Sequence, residues 1–414
     1  MSSTDFVFKK TAIFTHRKSY KMKQTLKILI ILFQTFVALQ LSAQPSIQFS
    51  EGNLNAAFEQ SKREQKLVCL LCYASWCPHC TYMKESVFNK AEVANYYNKH
   101  FICVQQDMEK GIGPELHKKF IITSYPTFIF MDSNQNVIYR TAGEFSVQTF
   151  IQEARNALIP EKQLPTLKQK FEADISNSNN CYNYLRALKK GGIDYSDVVT
   201  SYFATQSDKQ LLSEVNWRIF SNAINDLNTR EYQFVLKHLK DYEIIASGER
   251  VRKKLIYTAK SVLIPLVEKN DTAAYRINRQ QFSDIHSFQI DSLIFTKDLV
   301  LYKYNENWTE YQKTTLLSTE KFVWNDYDLL KQIADIYQKN ITDTEAITKA
   351  IKWIKHSLTL HTEYGSYLIG AKLYRKLNNT TDALSMVKSA EKEAVKYDWN
   401  HTEADQLLKE LEHK

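Results

Sequence analysis

The 414-residue sequence predicts an α/β domain, with a central mixed sheet flanked by helices, followed by a large all-α, repeat-like domain. Two observations predict the first domain: strand-like apolar runs alternate with helical patterns up to Leu158, and a Cys-x-x-Cys motif lies at a strand-to-helix boundary. A third observation predicts the second domain. After Pro165 the only proline is Pro265, so helices can run through most of the remaining chain.

Strands and helices alternate in the first domain, which we place at residues 44–160. Leu67–Tyr73 is a continuous apolar run, typical of a buried strand, and Thr81–His100 has the pattern of a helix. The other predicted elements are a strand at Phe101–Asp107, a short helix at Gly111–Phe120, a strand at Ile121–Met131, a returning antiparallel strand at Val137–Ala142 and an amphipathic helix at Ser146–Leu158. A polar linker at residues 161–165 ends the domain.

The start of the chain predicts export. Lys23 and Lys27 are followed by an apolar stretch that ends at Leu41, and small residues after it offer a cleavage site. This stretch is shorter than the ~20 apolar residues of a membrane-spanning helix, so we expect no integral membrane anchor. We interpret residues 1–43 as a signal peptide whose true start is Met22. Export to a periplasm would place the cysteines in an oxidising compartment.

Charge and composition exclude other classes of partner. Apolar residues make up 44% and charged residues 24% of the chain, as in soluble globular proteins. The formal net charge is +8, and the first 43 residues contribute +6 of it, which leaves +2 for the rest. A nearly neutral body gives no reason to expect a nucleic-acid partner.

Cys77 and Cys80 form a candidate redox pair within Trp76-Cys77-Pro78-His79-Cys80. The first sulfur lies at a helix N-terminus, where the helix dipole and free N–H groups favour a thiolate. The second lies one turn into the helix, where it can close a disulfide with the first. Pro78 fits the first helical turn, which does not need its N–H.

The segment of about residues 47–160 resembles the thioredoxin fold family. The resemblance rests on Ala-Ser-Trp-Cys-Pro-His-Cys at residues 74–80, on Tyr-Pro-Thr-Phe at residues 125–128 and on Gly143 after the last strand. Within the family the segment is similar to exported thioredoxin-like domains related to the C-terminal domain of the bacterial disulfide reductase DsbD. The resemblance implies a thioredoxin-like α/β fold and a thiol–disulfide oxidoreductase.

The resemblance also implies roles for single residues. Cys77 would be the nucleophile and Cys80 the resolving thiol of a Cys77–Cys80 redox disulfide. Pro126 would be a cis-proline that faces the disulfide, with the backbone beside it free to pair with a substrate strand. The residues that would shape the site are Trp76, Pro78, His79, Tyr125 and Pro126. The expected partners are substrate proteins with thiols or disulfides and a redox partner protein, and no cofactor is required.

Leu71 and His79 bear on the direction of electron flow, which stays open. Many family members carry a buried Asp or Glu at the position of Leu71, so proton transfer at Cys80 must use water, His79 or another group. Cys-Pro-His-Cys also resembles the motif of strongly oxidising disulfide donors. A protonated His79 would stabilise the Cys77 thiolate and raise the reduction potential above the roughly −270 mV of thioredoxin.

Of the other four cysteines, Cys69, Cys72 and Cys103 are predicted to be core thiols, whereas Cys181 lies in a polar stretch where it could pair with another cysteine. Cys69 and Cys72 repeat the Cys-x-x-Cys spacing, but residues three apart on one strand point to opposite faces. Both sulfurs therefore cannot reach one ion, and we predict no metal site. Cys103 lies on a predicted strand, and Cys181 has no partner that the sequence identifies.

The second half of the chain is helical throughout, and we divide it into a helical region at residues 166–320 and a repeat region at residues 321–414. The repeat region resembles tetratricopeptide repeats in its spacing of small and large residues. One unit contains Tyr367, Gly370, Ala371, Tyr374, Ala383, Val387 and Ala390, and a diverged copy contains Leu330, Ile333, Ala334, Tyr337, Ala346, Ala350 and Trp353. Such helix pairs bind partners on a concave surface, so a partner on the repeats is expected.

Two functions are compatible with these patterns. The first is an exported oxidoreductase whose helical extension binds partners. The alternative is a helical-repeat scaffold, in which binding is the function and the redox domain is incidental.

Overall fold

A computed structural model describes residues 46–412 and divides the chain into two compact units, the first ending at Leu211 and the second beginning at Leu212. The predicted signal peptide at residues 1–43 lies outside the described residues. The first unit extends beyond the predicted linker at residues 161–165. Within residues 46–412, no helix is both long and apolar enough to cross a membrane.

A five-stranded mixed sheet organises the first unit. The strands are β1 (Phe49–Glu51), β2 (Leu67–Tyr73), β3 (Phe101–Asp107), β4 (Thr127–Met131) and β5 (Val137–Ala142). Their spatial order is β1-β3-β2-β4-β5. β1, β3 and β2 run parallel, whereas β4 runs antiparallel to both β2 and β5. The predicted fold class is therefore confirmed.

Helices cover both faces of the sheet and continue beyond it. They are α1 (Leu54–Glu64), α2 (Pro78–Tyr82), α3 (Ala91–His100), α4 (Gly113–Lys119), α5 (Val147–Ala157), α6 (Leu164–Ala173), α7 (Ser178–Lys190), α8 (Ser196–Ala204) and α9 (Asp208–Leu211). A π-turn at Met83–Val87 extends α2, and a 3₁₀ turn lies at Pro160–Lys162. Ser146 caps α5 by accepting a hydrogen bond from the Thr149 N–H, as its sequence predicts.

The strand sequences explain the two cores of this unit. β2 is buried on both faces, so successive residues alternate between two apolar clusters. Cys69 and Leu71 lie in one cluster, with aromatic residues of β3, β4 and α5. Leu70 and Cys72 lie in the other, which α1 and α4 cover. The sheet is thus a buried platform that holds the β2–α2 turn in place.

Two predicted elements differ from the structure. The strand expected at Ile121–Met131 begins only at Thr127, because Ile121 has a left-handed backbone (φ 47°) and the Tyr125–Pro126 peptide is cis. The helix expected at Thr81–His100 is broken after the π-turn. There the Phe88 N–H donates to the Met83 carbonyl, and the extended backbone of Lys90 begins α3.

The second unit is helical over the residues that the structure describes. Its helices are α10 (Glu214–Ala223), α11 (Arg230–Lys237), α12 (Leu239–Tyr242), α13 (Gly248–Glu268), α14 (Thr272–Ser283), α15 (Phe288–Tyr304), α16 (Trp308–Phe322), α17 (Tyr327–Asn340), α18 (Thr344–Leu360), α19 (Tyr364–Lys376), α20 (Thr380–Lys396) and α21 (Thr402–Glu412). A π-turn at Glu243–Ser247 precedes α13. Pro265 lies inside α13, near its C-terminal end.

Small buried residues lie where the repeat pattern predicts helix pairs. In α17 and α18 the rings of Tyr337 and Trp353 meet edge to face at 5.4 Å, beside the fully buried Ala334 and Ala350. In α19, a β-carbon at Gly370 would lie 3.4 Å from the Met386 sulfur of α20. The two helix pairs therefore pack closely through small residues, while their assignment to tetratricopeptide repeats stays a prediction.

Candidate active site

Cys77 lies at the turn between β2 and α2, where the chain changes from extended to helical. Its backbone is extended, and its Sγ accepts a hydrogen bond from the Cys80 N–H at 3.2 Å. Pro78 occupies the first helical position, where its missing N–H costs no hydrogen bond. The side-chain sulfur of Cys77 therefore acts as the helix N-cap. This position supplies N–H groups and the positive end of the helix dipole to a thiolate.

Cys80 differs from Cys77 in its surroundings, although both are buried, at 2% and 3% exposure. Burial, and next the neighbouring Cys77 thiol, raise the pKa of the Cys80 thiol above its ordinary value. A backbone hydrogen bond with Ala74 and the charge of Lys84 act in the opposite direction. Cys80 is thus a protonated thiol at neutral pH. The pair combines the Cys77 sulfur, which accepts a backbone N–H, with the Cys80 sulfur, which keeps its proton.

The loop before β4 forms the opposite wall. The Cys77 Sγ lies 3.7 Å from the Tyr125 carbonyl oxygen, to which it donates, and the next peptide bond, Tyr125–Pro126, is cis. The Gly143 N–H donates to the Pro126 carbonyl at 2.8 Å, and the Thr127 hydroxyl donates to the Ser124 carbonyl at 2.7 Å. The structure thus brings together the two motifs that lie 48 residues apart in sequence.

A groove of about 430 Å³ opens at this wall. It is lined by Trp76, Cys77, Pro78, His79, His117, Ile122, Thr123, Ser124 and Tyr125. The Trp76 side chain is 64% exposed, its ring meets that of Tyr125 edge to face at 6.0 Å, and its indole N–H donates to Glu109 at 2.8 Å. The Trp76 ring therefore forms an exposed apolar side of the groove, and its hydrogen bond to the Glu109 carboxylate orients it.

His79 lies at the rim, and its partner is a carboxylate. Its Nδ1 is 2.8 Å from Glu144 Oε2, and the two side chains are 64% and 40% exposed. The negative charge of Glu144 offsets the positive charge that a protonated His79 would bring to the Cys77 sulfur. No sequence motif links His79 to this partner, which lies 65 residues away.

β2 carries Leu71 at the position that the family usually gives to a buried acid, and the buried acid nearest in the sheet register is Asp107, opposite the last residue of β2. Asp107 ends β3, where it pairs in register with Tyr73 of β2. Burial favours its neutral form, but the Glu109 N–H at 3.1 Å and the ammonium of Lys110 at 3.2 Å lower the pKa of Asp107 below its ordinary value. Asp107 is therefore ionised at neutral pH.

The other four cysteines lie away from the groove and are buried free thiols. Cys69 and Cys103 are register partners on neighbouring strands, in the core cluster that does not contain Cys72. Burial raises the pKa of Cys72 and of Cys181 to about 12. The placement of Cys69 and Cys72 on opposite faces agrees with the strand prediction. Within residues 46–412, no group of three or more His, Cys, Asp or Glu side chains is arranged to hold a metal ion.

The sequence did not predict the groove-lining residues His117, Ile122, Thr123 and Ser124, nor the two carboxylates Glu109 and Glu144. Glu109 lies 33 residues after Trp76, and Glu144 lies 65 residues after His79. Neither belongs to a motif. One signal could have drawn attention to Glu144, since it directly follows Gly143, which the family resemblance already included.

Comparisons with known proteins agree on one part of the chain. Residues 54–158 match the family model described as a thioredoxin-like domain. Thioredoxin-1 of Drosophila melanogaster is 30% identical over 74 residues, which are 18% of this chain and 64% of that protein. The chain therefore spans less than two thirds of that relative.

Two solved structures are also similar to part of this chain. A protein of Bacteroides thetaiotaomicron, provisionally described as a disulphide-isomerase, is 33% identical, with 28% of this chain and 94% of that chain covered and a TM-score of 0.26. A structure named DsbH oxidoreductase is 21% identical, with 28% and 87% covered and a TM-score of 0.25.

Proposed function

We propose that this chain, in which residues 54–158 form a thioredoxin-like domain, is a thiol–disulfide oxidoreductase that acts through Cys77 and Cys80. The observation that carries the proposal is the position of the Cys77 sulfur. It caps a helix, accepts the Cys80 N–H at 3.2 Å and lies 3.7 Å from the Tyr125 carbonyl at an open groove. A disulfide substrate that enters this groove meets the sulfur and a backbone acceptor together.

The reaction transfers two electrons. In the reducing direction the Cys77 thiolate attacks one sulfur of a substrate disulfide, and the other sulfur leaves as a thiolate that takes up a proton. Cys80 then gives up its proton and attacks the Cys77 sulfur. The Cys77–Cys80 disulfide forms, and the second substrate thiol is released and protonated. The oxidising direction runs through the same mixed disulfide in reverse.

An insulin-reduction assay and a dithiol-oxidation assay on the full chain test this function. Wild-type protein is expected to be active in at least one of them, and Cys77→Ser to be inactive in both. Equal rates for wild type and Cys77→Ser would contradict the proposal.

A covalent trap adds a second test. In Cys80→Ser the nucleophile is intact but the resolving thiol is missing, so a mixed disulfide with the substrate should accumulate. Gel electrophoresis without reductant should show the adduct in this variant. The double variant with Cys77→Ser should show none.

Export and partner binding are further parts of the proposal. The support for export is the basic and apolar pattern of residues 1–43, and a periplasm is the compartment we propose. N-terminal sequencing of the exported protein would test it, because cleavage is expected after residue 43. An uncleaved, retained chain would contradict it.

The helical second unit is proposed as a surface for a partner protein, with tetratricopeptide-like packing in α17–α20. Its support is the close pairing of these helices through small residues. Recovery of a partner by the full chain, and loss of that partner when exposed residues of α17–α20 are changed, would support this. If the partner is captured through the cysteine pair alone, without any dependence on α17–α20, the proposed partner surface would be contradicted.

A further inference from the structure

The first unit continues beyond the family match, and the end of α7 reaches the loop that forms the groove. Gly191 and Gly192 follow α7 directly. The groove loop, which we define as residues 120–125, supplies Ile122, Thr123, Ser124 and Tyr125 to the groove. The family match ends at residue 158, so α7 is an addition to the thioredoxin-like domain.

Arg140 on β5 holds the first residues of the groove loop. Its side chain is buried at 6% exposure, and it donates to the Phe120 carbonyl at 2.5 Å and to the Ile121 carbonyl at 3.1 Å. Ile121 has a φ of 47°, a left-handed backbone that a β-branched residue rarely adopts. Two hydrogen bonds from a buried guanidinium therefore hold a locally strained segment of backbone.

The two glycines lie close against this arrangement, where an added β-carbon would crowd its neighbours. A β-carbon at Gly191 would lie 3.1 Å from Arg140 Cγ. A β-carbon at Gly192 would lie 2.9 Å from the Thr123 hydroxyl oxygen, and Gly192 has a φ of 63°, which favours glycine. The end of α7 thus contacts both the arginine and the groove loop.

A polar network fixes the position of α7. The ammonium of Lys190 contacts the Glu153 carboxylate of α5 and lies 3.0 Å from the Tyr139 hydroxyl. The Tyr139 hydroxyl donates to Glu153 at 2.6 Å, and Glu153 is buried at 4% exposure. Glu153 is buried while Lys190 is 37% exposed, and leaving the buried Glu153 carboxylate without its partner is costly, so this network keeps the glycines in register with the loop.

We propose that Arg140, Gly191 and Gly192 are positioning residues that brace the groove loop for substrate binding. The inference rests on the proposed oxidoreductase function and names the part of the chain, residues 159–192, that supports the substrate wall. The brace acts on the loop that ends in Tyr125, the residue before Pro126, and does not touch Cys77 or Cys80. A protein substrate, which pairs with this wall, depends on the brace, whereas a small thiol that reaches only the sulfur does not.

The test uses Gly192→Ala in the full chain, with Arg140→Lys as a second variant that keeps the charge and loses the two-pronged contact. For insulin as substrate we expect KM to rise roughly three- to tenfold in both variants, with kcat changed by less than about twofold. The rate at which the small thiol dithiothreitol reacts with the cysteine pair should stay at the wild-type value. The redox equilibrium with glutathione should also be unchanged.

Gly111→Ala is the matched control. Gly111 also has a positive φ, 57°, but a β-carbon there meets nothing within 4 Å. It carries the backbone strain of the test variant without the collision, so its KM for insulin should match wild type. A wild-type KM in Gly192→Ala, or equal losses with insulin and dithiothreitol, would overturn the proposal.

Hydrogen exchange separates this inference from the function on which it rests. Amides of residues 120–125 should exchange faster in Gly192→Ala and Arg140→Lys than in Gly111→Ala. If wild-type protein proves inactive, the proposed function fails and this measurement still tests the brace. Unchanged exchange in both variants would contradict the brace whatever the activity.

Discussion

The chain carries two Cys-x-x-Cys motifs separated by four residues, and only one of them has the geometry that we propose for a redox site. Cys69 and Cys72 lie within β2, and Cys77 and Cys80 lie at the start of α2. All four are buried, so burial does not distinguish the pairs. The backbone distinguishes the two pairs. On the strand the two sulfurs point to opposite cores, whereas at the helical turn the Cys80 N–H donates to the Cys77 sulfur. Spacing alone therefore does not define a redox pair.

The largest expected difference between the motifs is in catalysis. Cys77→Ser should reduce insulin turnover to the uncatalysed background, because no nucleophile remains. The double variant Cys69→Ala and Cys72→Ala should keep turnover within about twofold and lose about 1 kcal/mol of unfolding free energy for each sulfur removed. Turnover and urea denaturation of both proteins measure this. A strand-pair variant as inactive as Cys77→Ser, yet folded, would show that the strand pair takes part in the chemistry.

Alkylation of the native reduced protein should separate the thiols by rate. Burial raises the pKa of Cys72 and Cys181 to about 12, against an ordinary value of about 8.5. At pH 8 their thiolate fraction is then on the order of 10³ lower than that of an ordinary cysteine, and burial slows them further. Iodoacetamide followed by peptide mass spectrometry should label Cys77 first. The same reaction in urea, where all six thiols should react, is the control.

Labelling of Cys72 or Cys181 at the rate of Cys77 in the folded protein would contradict this distinction. It would mean that the strand core opens as readily as the groove.

The rate of the resolving step, in which Cys80 attacks the mixed disulfide, should rise with pH. The strand pair Cys69 and Cys72 has no corresponding step. Burial keeps the pKa of Cys80 raised, so its thiolate fraction should increase about tenfold per pH unit between pH 7 and pH 8.5. Release of substrate from the mixed disulfide should accelerate to the same extent in a stopped-flow single-turnover experiment. The Cys80→Ser variant, which forms the adduct but cannot resolve it, is the control. A pH-independent release rate would mean that a neighbouring group already removes the Cys80 proton.

The two motifs also show which features of the fold and the site could be predicted from the sequence. Local patterns were enough to predict β2 and the helical turn at Pro78, because each depends on neighbouring residues, whereas the Cys77–Cys80 redox pair stays a prediction. β1 was not predicted, since a three-residue strand has too little pattern to detect, and the 11-residue helix α1 was not predicted either. Glu109, Glu144 and Arg140 act through contacts with residues 33, 65 and 20 positions away. Such contacts exist only once the sheet has formed.

The smallest predicted effect concerns His79. The strand pair Cys69 and Cys72 has no histidine between its cysteines. A protonated His79 favours the Cys77 thiolate, stabilises the reduced form and raises the reduction potential, which we expect to exceed the roughly −270 mV of thioredoxin. An exposed charge at a helix N-terminus shifts such a potential by only about 6–20 mV, and Glu144 at 2.8 Å offsets part of it. His79→Ala should therefore make the pair slightly more reducing. Glu144→Gln should shift the potential the other way, because it removes a negative charge beside the thiolate. Glutathione equilibria of both single variants and the double variant measure these shifts, and if none of them differs from wild type, the histidine acts only as a spacer between the two cysteines.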